Sequence, residues 1–173
     1  MPIQYVLFDR DGTLIHHVHH LANVSEVKIF EDVPKALIIL GSKFRFGIVT
    51  NQSVVGRGLI SLEGVDSINR RILDELGDSG VYFDFVMVCP HMPDSNCNCR
   101  KPNVGLGLRA IEEFNIDIKR SFVVGDQTTD MIFARNLGIT GIGIRNPIDS
   151  FDTMDAHFEN LLEAAKWIMD RKD

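Results

Sequence analysis

Three things are missing from this 173-residue chain. No apolar run approaches the roughly 20 residues that a membrane-spanning helix requires, so we expect no membrane partner. Residues 1–4 have no basic flank and no cleavage-like site, which argues against a signal peptide. An excess of positive charge is also missing, since the formal net charge is −6. Phosphate backbones attract cationic surfaces, so we expect no nucleic-acid partner either.

Cysteine is scarce and clustered: Cys89, Cys97 and Cys99 are the three in the chain. An odd, clustered set suits a metal site better than a disulfide framework, and it predicts a reducing compartment, the cytoplasm. With His91 the set offers four nitrogen and sulfur ligands, which is what a closed, structural Zn²⁺ site needs. We predict a zinc-binding loop at about 89–101; the alternative is that the cysteines are incidental or simply buried.

The composition, 45% hydrophobic and 24% charged, is that of an ordinary globular domain. Short apolar runs predict strands at 3–8, 44–49, 83–88, 121–125 and 139–144. Helical patterns lie between and after them, near 32–40, 61–76, 106–114, 129–137 and 155–170, with Ser61 and Thr129 as predicted N-caps. The alternation predicts an α/β fold: a Rossmann-like three-layer sandwich with a parallel sheet of five or slightly more strands, in a single domain over 1–173.

Polar side chains stand where three of the predicted strands end. Asp9 and Asp11 follow the first strand, Thr50 ends the second, and Asp126 follows the fourth. An Asp-x-Asp pair alone fits a polar loop as well as a site. Because the carboxyl ends of parallel strands meet at one edge, three such clusters together predict a ligand site there. Arg10 is expected to point away from the two carboxylates and to be structural.

These residues resemble the four motifs of the haloacid-dehalogenase superfamily of phosphotransferases. The matching segments, in order, are Asp9-x-Asp11-Gly12-Thr13, Thr50-Asn51, Lys101 and Gly125-Asp126-(x3)-Asp130. The resemblance implies an HAD-like fold and a Mg²⁺-dependent phosphomonoesterase that works through an aspartyl-phosphate. The stretches 12–50 and 50–101 leave no room for a large cap domain, so the site should be relatively open.

The resemblance also implies a role for each matching residue. Asp9 would attack phosphorus, and Asp11 would protonate the leaving alkoxide and then activate water. Thr50 and Lys101 would stabilise charge on the phosphoryl oxygens. Mg²⁺ would be held by Asp9, the backbone carbonyl of Asp11, and Asp126. Asp130 would support the site by orienting Lys101 or a metal-bound water.

The cysteine loop and the segment Thr50-Asn51-Gln52-Ser53-(x3)-Arg57-Gly58 resemble one branch of that superfamily. This branch contains the D-glycero-D-manno-heptose-1,7-bisphosphate 7-phosphatases and the histidinol-phosphate phosphatases. A small phosphorylated metabolite would then be the partner of a monomer or small homo-oligomer. The residues expected to bind it are Asn51, Gln52, Ser53, Arg57 and Arg100.

Four functional hypotheses follow. The heptose bisphosphate is the preferred substrate, and histidinol phosphate is the alternative within the same chemistry. Gln127, and the histidine-rich segment 17–20, depart from the heptose-branch pattern and leave that choice open. A non-catalytic, zinc-stabilised binding module is a third hypothesis. Repair of nucleic-acid ends is a fourth, which the acidic charge and the lack of an aromatic, basic groove oppose.

Overall fold

The computed structural model of the chain describes residues 1–146 and 154–171. The strands are β1 (Tyr5–Phe8), β2 (Arg45–Asn51), β3 (Phe85–Cys89), β4 (Phe122–Gly125), β5 (Thr140–Ile144) and β6 (Ala156–Phe158). The helices are α1 (Val33–Leu40), α2 (Ser53–Gly56), α3 (Leu62–Gly77), α4 (Gly105–Phe114), α5 (Thr128–Leu137) and α6 (Leu161–Asp170). The strands form one six-stranded sheet in the order β3-β2-β1-β4-β5-β6, and each neighbouring pair is parallel.

The sheet is covered on both faces, which confirms the predicted three-layer α/β fold. Successive side chains of β1 alternate between two hydrophobic cores. Val6 and Phe8 pack with α1, α3 and α6 on one face. Tyr5 and Leu7 pack with α4 and α5 on the other. All four β1 side chains are buried, as expected for a central strand of a parallel sheet.

Two helix starts test the predicted N-caps. The Ser61 side chain accepts a hydrogen bond of 3.1 Å from the Gly64 N–H at the start of α3, so that prediction is confirmed. The Thr129 prediction is wrong, because α5 already begins at Thr128, after Gln127. Asp130 then accepts from the Gln127 N–H at 3.2 Å. The acidic side chain three residues into the helix therefore closes its first turn.

The last helix is shorter than predicted. Residues 156–158 are not helical but form β6, which pairs with β5 and places His157 opposite Gly143. The helix begins at Leu161, where the Asn160 side chain accepts a hydrogen bond of 2.9 Å from Glu163 N–H. Three residues are too few to show strand periodicity, and Phe158 happens to fit the apolar stripe of the following helix. Asn160, a favoured N-cap residue, marks the true boundary.

The connections leave the carboxyl edge of the sheet open. A 3-10 turn (Val24–Glu26) and α1 lie between β1 and β2. Only α2, α3 and β3 are regular elements between β2 and Lys101, so the described residues contain no large cap domain. Within the described ranges, no helix combines the length and apolar character that crossing a membrane requires.

Candidate active site

The central strands deliver the predicted residues to one edge of the sheet. β1 lies between β2 and β4, with Phe8 in register with Ile48 on one side and Val124 on the other. Asp9, the next residue, still donates its N–H to the Val124 carbonyl at 3.0 Å. The chain ends of β1, β2 and β4 therefore lie side by side at the carboxyl edge. This is the edge where ligands bind in open parallel sheets.

Lys101 lies at the centre of this edge, although it comes from the loop that follows β3. Its ammonium is 2.7 Å from Asp9 Oδ1, 2.8 Å from Asp130 Oδ1 and 2.6 Å from the Val49 carbonyl oxygen. The whole residue is only 4% exposed. A buried ammonium with three oxygen partners is fixed in place, so Lys101 offers a fixed positive charge beside Asp9.

Asn51 contacts Lys101 through the backbone. Its side-chain amide donates to the Lys101 carbonyl and accepts from the Lys101 N–H, each at 3.0 Å. Asn51 therefore holds the loop that carries Lys101, and the residue also lines the cavity described below. The sequence predicts Asn51 as a substrate-binding residue.

Asp126 is held by three neighbours. Thr13 Oγ1 donates to Asp126 Oδ1 at 3.3 Å, and Asn146 Nδ2 donates to Oδ2 at 2.8 Å. Gly12 approaches so closely that a Cβ there would lie 2.3 Å from Asp126 Oδ2, and its φ is +80°. Asn146 was missed from the sequence. Its position two residues past β5 is the signal that could have identified it.

Burial, and to a smaller extent the neighbouring charges, shift the pKa values of the acidic residues at this edge. Burial raises the pKa of Asp9 to about 8; Lys101 opposes this shift, and the neighbouring carboxylates add to it. Burial, together with Asp130, also raises the pKa of Asp126 to about 6. Burial alone would lower the pKa of Lys101, but Asp130 and Asp9 together hold it above the ordinary value. Burial and mutual repulsion thus disfavour simultaneous ionisation of Asp9 and Asp126 at this edge.

The acidic set fits a divalent cation. Carboxylate oxygens of Asp9, Asp126 and Asp130 lie within 4.8 Å of one another. Asp126 and Asp130 are buried, and the Asp9 side chain is 12% exposed. Hard cations such as Mg²⁺ prefer oxygen donors of this kind. A bound cation would favour the ionised carboxylates, and so oppose the effect of burial and of the neighbouring carboxylates, which raise the pKa of Asp9 and Asp126. Because Asp130 is already paired with Lys101, Asp9 and Asp126 are the carboxylates better placed to hold it.

Asp11 is surrounded by donors. Arg10 contacts both of its carboxylate oxygens, and Gln52 Nε2 donates to Oδ2 at 2.7 Å. The same Gln52 amide donates to Thr50 Oγ1 at 2.8 Å. The expectation that Arg10 points away from the acidic pair was therefore wrong. The chain bends after Asp9, so alternation along an extended strand no longer applies at Arg10.

The four predicted zinc ligands converge. The Sγ of Cys89 lies 3.7 Å from that of Cys97 and 3.2 Å from that of Cys99. His91 Nδ1 lies 3.6 Å from Cys89 Sγ and 3.1 Å from Cys99 Sγ. Tetrahedral zinc with ordinary bond lengths would separate two sulfurs by about 3.8 Å, and a sulfur from a nitrogen by about 3.5 Å. The cluster is compatible with zinc.

The predicted site residues surround a cavity of about 510 Å³ above the strand ends. Nine of them line it: Asp9, Asp11, Asn51, Gln52, Ser53, Cys97, Arg100, Lys101 and Asp130. Thr50 and Asp126 are buried and are not among the described lining residues. Arg57 is exposed and, among the described residues, lies outside the lining, although its charge reaches His20, which does line the cavity.

Comparison with known proteins shows where the chain belongs. Residues 98–161 match a family model described as HAD-hydrolase-like. The chain is 38% identical over 139 residues to the probable D-glycero-D-manno-heptose-1,7-bisphosphate 7-phosphatase of Thermoplasma acidophilum, covering 79% of this chain and 87% of that protein. It is an HAD phosphatase. The predicted family and enzyme class, a phosphoric monoester hydrolase, are thereby confirmed.

A further relative and a solved structure are also similar to this chain. The HAD phosphatase is 36% identical over 146 residues to the histidine biosynthesis bifunctional protein HisB of Blochmanniella floridana, covering 82% of this chain but only 41% of that longer protein. The fold matches D,D-heptose 1,7-bisphosphate phosphatase from B. bronchiseptica, solved with magnesium and phosphate, with a TM-score of 0.88. That match has 21% identity and covers 96% of this chain and 98% of the other.

Proposed function

We propose that this phosphatase removes the 7-phosphate of D-glycero-D-manno-heptose 1,7-bisphosphate through a phosphorylated Asp9. The observation that carries the substrate choice is the distribution of charge in the cavity. Its three lining carboxylates, Asp9, Asp11 and Asp130, belong to the acidic cluster at the strand ends. Among the described lining residues, the charged or titratable groups on the remaining walls are Arg100, Cys97 and three histidines, His17, His19 and His20. Such walls suit a substrate with a second anionic group.

The chemistry follows from the contacts of Asp9. Its carboxylate attacks phosphorus, the bond to the leaving alkoxide breaks, and Asp11 gives that alkoxide its proton. Water then attacks the phosphorus of phospho-Asp9 and passes a proton to Asp11, which releases inorganic phosphate and restores the Asp9 carboxylate and the protonated Asp11. Lys101, 2.7 Å from Asp9 Oδ1, compensates the charge on the phosphoryl oxygens throughout. Thr50 supports this arrangement through its bond from Gln52.

Two metals complete the proposal. Asp9, Asp126 and the backbone carbonyl of Asp11 would hold Mg²⁺, which neutralises phosphate charge when bound. Zn²⁺ would be held by Cys89, His91, Cys97 and Cys99, and it would order the loop at about 89–101. We propose that this loop is part of a single domain over residues 1–173. A closed set of four protein ligands gives zinc a structural role. We infer a reducing compartment such as the cytoplasm from the same proposal, because cysteines that bind zinc must remain unoxidised.

Histidinol phosphate is the second candidate, favoured by the similarity to HisB over most of this chain. Its ammonium group would need an acidic partner. In the described lining, the carboxylates are those that the mechanism already uses. The similarity to phosphatases, with every mechanistic residue present, favours an enzyme over a binding module.

A phosphate-release assay with the heptose bisphosphate, histidinol phosphate and p-nitrophenyl phosphate tests the proposal. We expect kcat/KM for the heptose bisphosphate to exceed that for the aryl phosphate by about 100-fold or more, since binding energy from the distal phosphate is used in the transition state. Asp9→Asn should remove turnover of all three while leaving the protein folded. Faster turnover of histidinol phosphate, or no preference over the aryl phosphate, would overturn the substrate assignment.

A further inference from the structure

Arg10 has an unusual place for a charged side chain. Its guanidinium is completely buried, yet it belongs to the loop that carries both mechanistic carboxylates. Nε donates to Asp11 Oδ2 at 2.9 Å, and NH2 contacts Asp11 Oδ1 at 3.3 Å. NH1 donates to Asn69 Oδ1 at 2.7 Å. A buried cation is costly unless it is fully paired, and these contacts use all three nitrogens.

Asn69 is the second unusual residue. It lies on α3, on the face where Val65, Ile68, Ile72 and Leu76 are buried. Asn69 is itself only 5% exposed. A polar side chain on such a face destabilises the core unless it has a hydrogen-bond partner. The side-chain oxygen of Asn69 accepts a hydrogen bond from Arg10, so α3 holds the guanidinium on the side away from Asp11.

The two oxygens of Asp11 are held differently. Oδ2 accepts two short hydrogen bonds, from Arg10 Nε at 2.9 Å and from Gln52 Nε2 at 2.7 Å. Oδ1 has the single contact to Arg10 NH2, which at 3.3 Å is longer. Asp11 is 19% exposed at its side chain and lines the cavity. Oδ2 is thus anchored in the protein, and Oδ1 is the oxygen with room for a proton.

We propose that Arg10 and Asn69 are positioning residues for the proton transfers of Asp11. Asn69 holds Arg10, Arg10 holds Oδ2 with the help of Gln52, and Oδ1 carries the proton that is given to the leaving alkoxide and later taken back from water. This inference rests on the proposed function, because it assigns a task to residues behind the acid-base group. It predicts that replacing Asn69 slows the two proton transfers of Asp11 and leaves the attack of Asp9 on phosphorus unchanged.

Substrates with different leaving groups can distinguish this positioning role from a general structural role. Heptose bisphosphate and histidinol phosphate leave as alkoxides, which need a proton, whereas p-nitrophenolate leaves without one. Phosphorylation of Asp9 by the aryl ester is therefore independent of Asp11, but release of phosphate from Asp9 is not, because the attacking water must lose a proton. Misplacing Asp11 should slow alkyl ester cleavage and turn the aryl ester reaction into a burst of nitrophenol followed by slow turnover.

Asn69→Ala is the decisive variant. With whichever alkyl phosphate the wild-type enzyme hydrolyses, we expect kcat to fall about tenfold or more, a part of what general acid–base catalysis contributes. The aryl ester's burst rate should stay within about threefold of the wild-type rate of nitrophenol release. Asn69→Asp keeps an acceptor oxygen at the same place and should restore the alkyl rate. Arg70→Ala, an exposed neighbour on α3, is the matched control and should leave both rates unchanged.

The outcomes are separable. Equal losses for alkyl cleavage and for the aryl burst, or no loss in either, would overturn the positioning role. If Asn69→Ala does not fold, Arg10→Lys keeps the buried charge but removes the paired contact with Asp11, and it should show the same selective loss. Failure of the proposed function looks different, since the wild-type protein would then show no phosphate release, or Asp9→Asn would retain it.

Discussion

The side chain of Asn51 holds the backbone of Lys101 through two hydrogen bonds that run in opposite directions, each 3.0 Å long. The two residues are fifty positions apart in the chain. This contact ties the end of β2 to the loop that carries the ammonium. It explains how a residue outside the regular elements can be placed within 2.7 Å of the Asp9 carboxylate.

Removing this contact should weaken catalysis more than folding. We expect Asn51→Ala to lower kcat by about 10- to 100-fold, because small displacements of a charge-stabilising group are costly in this chemistry. Asn51→Asp keeps the acceptor for the Lys101 N–H and loses the donor to its carbonyl, so its kcat should be intermediate. Steady-state kinetics with p-nitrophenyl phosphate measure both. Wild-type turnover in Asn51→Ala would show that Lys101 is positioned without Asn51.

Zinc removal should lower both stability and turnover. Cys99 stands two residues before Lys101, so unfolding of the cysteine loop would release the ammonium from its partners. We expect protein stripped with a chelator and resupplied with Mg²⁺ to have a lower Tm and a reduced kcat, and Cys99→Ser to behave similarly. Return of Zn²⁺ should restore the stripped wild type. Unchanged turnover in fully zinc-free protein would contradict the link between loop and site.

Two glycines provide a matched test of the close approach to Asp126. Gly12 has φ +80° and Gly58 has φ +71°, but a Cβ at Gly58 would meet nothing within 4 Å. Alanine at either position should cost about 1–2 kcal/mol of unfolding free energy for the left-handed backbone. Gly12→Ala should in addition displace Asp126 and lose most of the activity. Thermal unfolding measures the stability of both variants, and turnover measures their activity. Similar activity in both variants would mean that the contact with Asp126 is not needed.

Arg100 and Arg57 were both predicted to bind substrate, and the structure distinguishes them. Arg100 lines the cavity, whereas Arg57 is exposed outside its lining. We expect Arg100→Ala to raise KM for the heptose bisphosphate about tenfold, the size of one charge-assisted contact at a partly exposed site. Neither variant should change KM for p-nitrophenyl phosphate, which has no second phosphate. A larger effect from Arg57→Ala would move the distal subsite toward the His20 side of the cavity.

The parts of the site that the sequence predicted are those fixed by strand ends. Asp9, Thr50 and Asp126 follow from the rule that parallel strands deliver their carboxyl ends to one edge, and the order of the motifs located Lys101. The fold class followed from the alternation of strands and helices. These features depend on local pattern, which a sequence displays directly.

The features that the sequence did not show depend on contacts between distant residues. Arg10 contacts Asp11 and also donates its NH1 group to Asn69, which belongs to another element. Asn146 reaches Asp126 from beyond β5. The short strand at 156–158 is defined by pairing with β5 rather than by its own residues. These three contacts join residues that are far apart in the chain, so only the tertiary structure identifies the partners.

The most direct test of the central claim is to trap the phosphorylated enzyme. Asp11→Asn removes the group that activates water, so this variant incubated with Mg²⁺ and p-nitrophenyl phosphate should accumulate phospho-Asp9. Acid quenching, borohydride reduction and peptide mass spectrometry would convert and locate the acyl phosphate. We predict homoserine at position 9 and none in the Asp9→Asn, Asp11→Asn double variant. Nitrophenol release without modification of Asp9, or modification at another carboxylate, would contradict the mechanism.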